Sequence, residues 1–436
     1  MNDQNDSLFI NLLYVLPMAI VMFFYILRHK RRSKVHKEVL RESVESGLTE
    51  PATLHPVFDP NICIGSGGCL KACPEQAIGI IDGKGILISP ALCIGHGACA
   101  NSCPVNAIKL VFGTATRGVD IPQLKPNFET NVPGIFIAGE LGGMGLIRKA
   151  VAQGSQAMEA ILKRGRSKTP HDVVIIGAGP AGIAATLAAK HHGLRCVTLE
   201  QEDTFGGTTL HYPRGKIVMT APMNLPIIGK VNIKEISKEA LMELWENVVN
   251  EAGIKINFGE RMERIEHQDD TFSVVTNRGS YLTRSVLLSI GRRGTPRKLD
   301  VPGEELKKVV YRLVDPEQYQ TMHVLVVGGG DAALEAAVAI SGEPGATVTL
   351  SYRSNAFSRV KPKNRELIQA ASDSGRLTLL LESTVKEIRS STVKLDQKGT
   401  EVELPNDAVI VCAGGILPIP LLKEIGIKVE TRHGDA

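Results

Sequence analysis

One short pattern, written twice, constrains this chain more than anything else in it. CIGSGGCLKACPEQAI begins at Cys63 and CIGHGACANSCPVNAI begins at Cys93, an offset of 30 residues that carries Cys69 onto Cys99, Cys73 onto Cys103 and Pro74 onto Pro104. Six of the eight cysteines fall in these two runs. Short spacings with glycines between them let backbone amides turn inward around sulfur. Structural zinc usually pairs its ligands as C-x2-4-C in two separated knuckles, a poor match. Disulfides fit poorly in a segment expected to face a reducing compartment. The remaining two, Cys196 in LRCVTLE and Cys412 in VIVCAGG, sit in apolar runs and read as buried strand residues.

Each run resembles the C-x2-C-x2-C-x3-C-P of the bacterial two-cluster ferredoxins. In that family the last cysteine of each run crosses to the other cluster. The resemblance therefore implies one iron–sulfur cluster on Cys63, Cys69 and Cys103, and a second on Cys93, Cys99 and Cys73. The second cysteine of each run is replaced, by Ser66 in the first and His96 in the second. Three thiolates per centre leave two outcomes: a 3Fe-4S cluster, or a 4Fe-4S cluster whose fourth iron takes histidine, serine, water or a partner. Imidazole is a competent iron ligand, so His96 joins the six cysteines as a candidate, whereas Ser66 is expected not to ligate.

HDVVIIGAGPAGIAATLAAK places Gly177, Gly179 and Gly182 between an apolar strand and an Ala-rich helix, and Glu200 closes the next strand, CVTLE. Strand, glycine turn, helix and acid complete a dinucleotide fingerprint. The glycines admit a pyrophosphate to the helix N-terminus, and the acid holds a ribose hydroxyl. A second copy, HVLVVGGGDAALEAA, puts Gly328, Gly330 and Ala333 in the same slots. Its next strand, TVTLSYRS, ends on Arg353 instead of an acid, with Arg359, Lys361 and Lys363 nearby, which favours NADPH over NADH. The first loop then reads as the FAD site and the second as the NAD(P)H site.

Order and spacing resemble the thioredoxin-reductase-like flavoproteins. The family's Gly-Gly turn is matched by Gly206 and Gly207 in EDTFGGTTLHYP, and its later strand end by Gly291 in LLSIGRRGTPRKLDVPGEE. The family's C-terminal segment is matched by ETNVPGIFIAGELGGMGLIRKAVAQG at residues 129–154, which here precedes the first glycine loop. The chain ends on the strand and loop that usually lead into that segment, so the resemblance implies a circularly permuted flavoprotein. Carried over position by position, it implies Gly139 and Glu140 beside the FAD ribityl chain. It implies Ile147 and Arg148 at the start of a flavin-capping helix, whose positive dipole end favours the anionic reduced ring. Neither place where this family carries a redox dithiol holds a cysteine. The chain looks like the dithiol-free branch that includes bacillithiol disulfide reductase-like proteins, and no side chain receives a catalytic role of its own.

Residues 8–27 carry no charge and are long enough, at about 20 residues, to cross a bilayer as a helix. Arg28, Lys30, Arg31, Arg32, Lys34 and Lys37 follow, which predicts a single-pass inner-membrane anchor with its N-terminus outside and the catalytic part in the cytoplasm. The net charge of +4 is mild and much of it sits in that run, so no nucleic acid is expected as a partner. The fold class expected is α/β: two Rossmann-like FAD and NAD(P) domains, circularly permuted, with a small α+β two-cluster ferredoxin domain and one transmembrane helix. The expected boundaries are a span at 8–27, a basic juxtamembrane linker at 28–55 and a ferredoxin-like domain at 56–112. The permuted FAD segment follows at 113–166, the FAD domain at 170–300, the NAD(P) domain at 301–404 and the return to the FAD domain at 405–436.

The expected function is an NAD(P)H-dependent oxidoreductase passing electrons between NAD(P)H, FAD and two iron–sulfur clusters. Its expected partners are a redox protein or membrane electron carrier, the lipid bilayer and a second copy in a homodimer. The alternatives are an electron-transfer subunit with little activity alone, or a small-disulfide reductase with non-catalytic clusters.

Overall fold

The computed structural model describes residues 3–45, 48–51, 54–143, 145–166, 168–292, 294–357 and 360–434, with the side chains of 3–15 and of 362 outside that description. The chain forms two compact units that divide after Phe112.

The first unit opens on α1 (Asp3–Glu45), one helix with Pro17 inside it. It takes in residues 28–45 of the stretch 28–55 expected to be a linker. The reason is local: residues 28–45 hold no glycine or proline and are rich in Arg, Lys, Glu and Leu, all good helix formers. Arg41 adds ion pairs to Glu38 and Glu45, one turn to either side. One stripe of this segment, Ser33, His36, Val39, Leu40 and Ser43, is withdrawn from solvent at helical spacing. Among the described residues no helix is long and apolar enough to cross a membrane, which corrects the crossing expected at 8–27. The side chains of 8–15 lie outside the description.

Two similar halves follow. β1 (His55–Phe58) leads to the first cysteine run and α2 (Gly68–Ala72), then to a hairpin of β2 (Ile78–Ile81) and β3 (Lys84–Leu87). The second run leads through α3 (Ala98–Asn101) to β4 (Ile108–Val111), which closes antiparallel on β1. The sequence repeat is also a backbone repeat. Gly65 and Gly67 have φ of 69° and 75°, and Gly95 and Gly97 have 78° and 71°. These left-handed turns are why glycine recurs there.

The second unit holds two largely parallel sheets. β5 (Val119–Pro122) and β6 (Ile135–Ile137) precede α4 (Ile147–Lys163); the first glycine loop joins β7 (His171–Ile176) to α5 (Pro180–His191), and β8 (Cys196–Leu199) follows. With β9 (Met262–Gln268), β10 (Thr271–Thr276) and β11 (Gly279–Leu288) they form a sheet of order β9-β10-β11-β7-β8. β6 lies parallel beside the C-terminal half of β11, so Leu287 is flanked by Phe136 and Ile175.

The other sheet uses β12 (Val309–Val310) and β13 (His323–Val327), then α6 (Asp331–Ser341), β14 (Thr347–Tyr352), α7 (Pro362–Asp373) and β15 (Leu377–Leu381). β16 (Ala408–Val411) completes a parallel order of β12-β16-β13-β14-β15. Continuous apolar runs such as VVII and AVIV suit strands covered on both faces. Finally β17 (Val429–Arg432) pairs antiparallel with β5, bringing the end of the chain to the start of this unit.

Candidate functional site

The C-terminal ends of β6, β7, β8 and β11 open onto one cleft of 1190 Å³. Parallel α/β sheets present their ligands at this edge. Gly139, Glu140, Ile147, Gly177, Gly179, Glu200, Gly207 and Gly291 all line the cleft. Gly182 does not; it stands behind the loop, where a Cβ would lie 1.8 Å from the Gly177 carbonyl oxygen and 2.8 Å from Ser289 Oγ. Its role is the close approach of α5 to the strands.

A flavin dinucleotide fits this cradle. Across the slot, a Cβ on Gly207 would come 3.0 Å from the Gly179 Cα, so side chains at either position would fill the space a pyrophosphate needs. Gly179 caps α5 without a side-chain bond, leaving the first N–H groups of a twelve-residue helix for an anion. Glu200 is buried, and its carboxylate accepts from the Ala178 N–H at 2.7 Å and the Glu202 N–H at 3.0 Å. Burial pushes its carboxyl up, and these backbone donors pull the other way. Burial likewise pushes Glu140 up, against the Arg292 guanidinium; Arg292 in turn donates to the Asp120 carbonyl at 2.8 Å.

Sequence reasoning missed several supporting groups. Gln153 Oε1 accepts from the Gly139 N–H at 2.8 Å, and Ser289 Oγ donates to the Ile176 carbonyl at 2.8 Å. Gln153 was detectable in principle, as the one polar residue on the buried stripe of α4 with Ala150, Val151, Gly154, Ala157, Met158 and Ile161. The ties between the two sheets carry no local signal. Lys216 Nζ meets Glu335 Oε2 on α6 at 2.5 Å, and Arg312 contacts His211 Nδ1.

Gly328, Gly330 and Ala333 lie outside that cleft's lining, at the start of α6. Gly330 caps α6, Ala333 is fully buried, and a Cβ on Gly328 would run into the Cys412 carbonyl oxygen at 2.4 Å. The Tyr352 ring stands against Gly329, 2.1 Å from where a Cβ would be, so any larger residue there would have to displace the ring. Arg353 is exposed directly after β14, and Lys361 and Lys363 are exposed at the start of α7; Arg359 lies outside the described residues. The loop suits a second dinucleotide, with cations available for its phosphates.

In the first unit two hollows gather the cysteines. Cys63, Cys69 and Cys103 line one together with Ser66; Cys73, Cys93 and Cys99 line the other together with His96. Backbone N–H groups face sulfur: Gly85 to Cys63 Sγ at 3.3 Å and Ala107 to Cys103 Sγ at 3.2 Å. Burial pushes the Cys69 and Cys99 thiols up, and Cys93 up to about 11, while the N–H groups of Leu70, Ala100 and Gly95 pull them down. Metal binding at such sites displaces the thiol protons. Among the described residues no three His, Cys, Asp or Glu side chains converge on a single metal ion. Three thiols spread around a hollow, with amides directed at sulfur, suit a multi-iron centre.

Comparison with known proteins agrees with this division. The 4Fe-4S dicluster domain family matches residues 55–104, and the Pyridine nucleotide-disulphide oxidoreductase family matches 174–434. A ferredoxin–NADP reductase of Thermus thermophilus is 30% identical over 271 residues, 59% of this chain and 77% of that protein. The bacilliredoxin reductase Bdr of Bacillus subtilis is 26% identical over 268 residues, 60% of this chain and 82% of the relative. Among solved structures, the bacillithiol disulfide reductase Bdr from Bacillus cereus shares the fold with a TM-score of 0.54 at 24% identity, covering 59% of this chain and 82% of that one. The chain belongs to the pyridine nucleotide-disulphide oxidoreductase family, as an NAD(P)H-dependent flavoprotein oxidoreductase that also carries a 4Fe-4S dicluster domain.

Proposed function

We propose that this oxidoreductase moves electrons between NADPH and two iron–sulfur clusters of its own, and from these to a membrane electron carrier or a redox partner protein. One observation carries the reading: two three-thiol hollows occupy the same chain as a flavin cleft whose described lining contains no cysteine. Reduction of a disulfide through a dithiol in the cleft therefore has no residues to perform it. A bound flavin would supply the exchange between two-electron and one-electron steps that links a nicotinamide to clusters.

The chain's own residues bind and orient. The α5 N-terminus with Gly177 and Gly179 seats the pyrophosphate, Glu200 holds a ribose hydroxyl, and Arg353 takes the extra phosphate that distinguishes NADPH. Glu140, whose carboxylate form the Arg292 guanidinium favours, lines the cleft where the sugar-alcohol chain of the flavin would lie, and α4 presents its N-terminus at Ile147 to the ring. Anaerobic addition of NADPH to the purified holoprotein is expected to bleach the flavin and then bring up a cluster EPR signal. In a Cys69→Ala, Cys99→Ala chain the flavin still bleaches and the signal is gone. A flavin that reduces while intact clusters stay oxidised would refute the proposal.

The pairing of β17 with β5 supports the permuted reading. Arg432 lies opposite Val119 and Val429 opposite Pro122, the register of a hairpin whose turn has been opened. A chain starting at Thr169, joined from Arg432 to Val119 by a two-residue Asn-Gly turn and ending at Arg166, would restore an unpermuted order. It is expected to bind FAD stoichiometrically by its visible absorbance. A soluble, folded product without flavin counts against permutation.

For location, exposed apolar side chains at 16–27 of α1, followed by six cations, support attachment to the cytoplasmic face of the inner membrane.

A further inference from the structure

We propose that α1 sets the properties of the Cys63–Cys69–Cys103 site, and of that site alone, by holding the β2–β3 hairpin against it. The inference rests on the reading of the two hollows as cluster sites.

The hairpin has only two strands, so β2 has an outer edge with no strand beside it. α1 takes that place. His36 Nδ1 lies 2.9 Å from the Ile80 N and 3.0 Å from the Ile80 carbonyl oxygen, so it bonds the Ile80 backbone as acceptor or donor according to its tautomer, and the Asp82 N–H donates to Ser33 Oγ at 3.2 Å. Ser33 is buried, and the His36 ring packs on Gly79, where a Cβ would lie 2.9 Å from His36 Cγ. The Lys37–Asp82 ion pair at 2.9 Å is 54% and 70% exposed and adds little. The backbone bonds from β2 to Ser33 and His36 do most of the holding.

The same hairpin touches the first cysteine loop through Gly83, Lys84 and Gly85. The Gly83 carbonyl oxygen would lie 2.1 Å from a Cβ on Gly65, Lys84 Nζ donates to the Cys63 carbonyl at 2.7 Å, and the Gly85 N–H donates to Cys63 Sγ. Ile80 itself lines the Cys63 hollow. The other hollow has a different wall: Leu54, His55 and Pro56 line it, and the Cys93 thiol faces the Leu54 carbonyl. The internal repeat is thus broken by the helix, which bonds to the β2–β3 pair beside one site, whereas the corresponding pair of the second half is β4 with β1.

Hydrogen bonds to sulfur and exposure to water set cluster potentials. A donor to Cys63 stabilises the more negative, reduced state, so slackening the hairpin lowers that site's potential. The test is an EPR-monitored redox titration of the full-length holoprotein, with the two signals assigned by Cys69→Ser and Cys99→Ser. His36→Ala is expected to shift the reduction equilibrium of the Cys63 site at least tenfold towards the oxidised form, 59 mV for one electron, and to leave the Cys93 site unchanged. His36→Asn, whose side-chain amide can accept the Ile80 N–H or donate to the Ile80 carbonyl, restores the original value. Val35→Ala, on the exposed side of the helix, changes neither.

If His36→Ala cannot keep its iron, loss confined to the Cys63 signal supports the inference. A shift at both sites, at neither, or upward overturns it. Should the unsubstituted protein assemble no clusters, the functional reading fails first. Two clusters whose potentials ignore His36 refute only the role of the helix.

Discussion

A Gly182→Val chain is expected to purify without flavin. The added Cβ alone would sit 1.8 Å from the Gly177 carbonyl oxygen, backbone that cannot swing aside as a side chain could. Relief requires α5 to lift from β7, which displaces the glycine turn and the helix N-terminus together. Overpacking of this kind costs about 3 kcal/mol, and spent against cofactor binding that is more than a hundredfold in affinity. Flavin per chain after gel filtration measures it. Gly279→Ala is the control, since a Cβ there meets nothing within 4 Å and its φ is not in the left-handed region. Full flavin occupancy in Gly182→Val would contradict the packing argument.

Cys73→Ala should remove the wrong cluster, judged by sequence position. Cys73 closes the first run but lines the hollow of Cys93 and Cys99, so its loss leaves that site with two thiols. The expected result is the disappearance of the EPR signal that Cys99→Ser also abolishes, with the Cys69-dependent signal intact and iron content down by about half. Cys103→Ala should do the converse. Loss of the signal assigned to Cys69 on substituting Cys73 would mean that the runs do not exchange their last cysteines.

What could be read in the sequence was whatever is written locally. The glycine loops with Glu200 combine their parts within 24 residues and the doubled cysteine run within 41, and the structure assembles them at strand ends and around hollows. The charge step at Arg28 marks no break in local structure, because backbone propensity carries the helix on to Glu45. His36 lies in a basic run and reads as a solvated residue; only the unpaired edge of β2 opposite it, 44 residues away, makes it structural. Lys216 with Glu335 and Arg312 with His211 are likewise pairs 119 and 101 residues apart, visible only once the two sheets face each other.

The way α1 covers β2 also bears on self-association. A bare strand edge is a template for another chain, and proteins usually blunt it with charge, proline or a bulge. Here the guard is the hydroxyl and imidazole of a helix laid alongside, taking up the outward backbone groups of Ile80 and Asp82. A generic flexible tether in place of this helix would leave the hairpin open to strand addition. The sequence of α1 is thus constrained by colloidal behaviour as well as by the site beneath the hairpin.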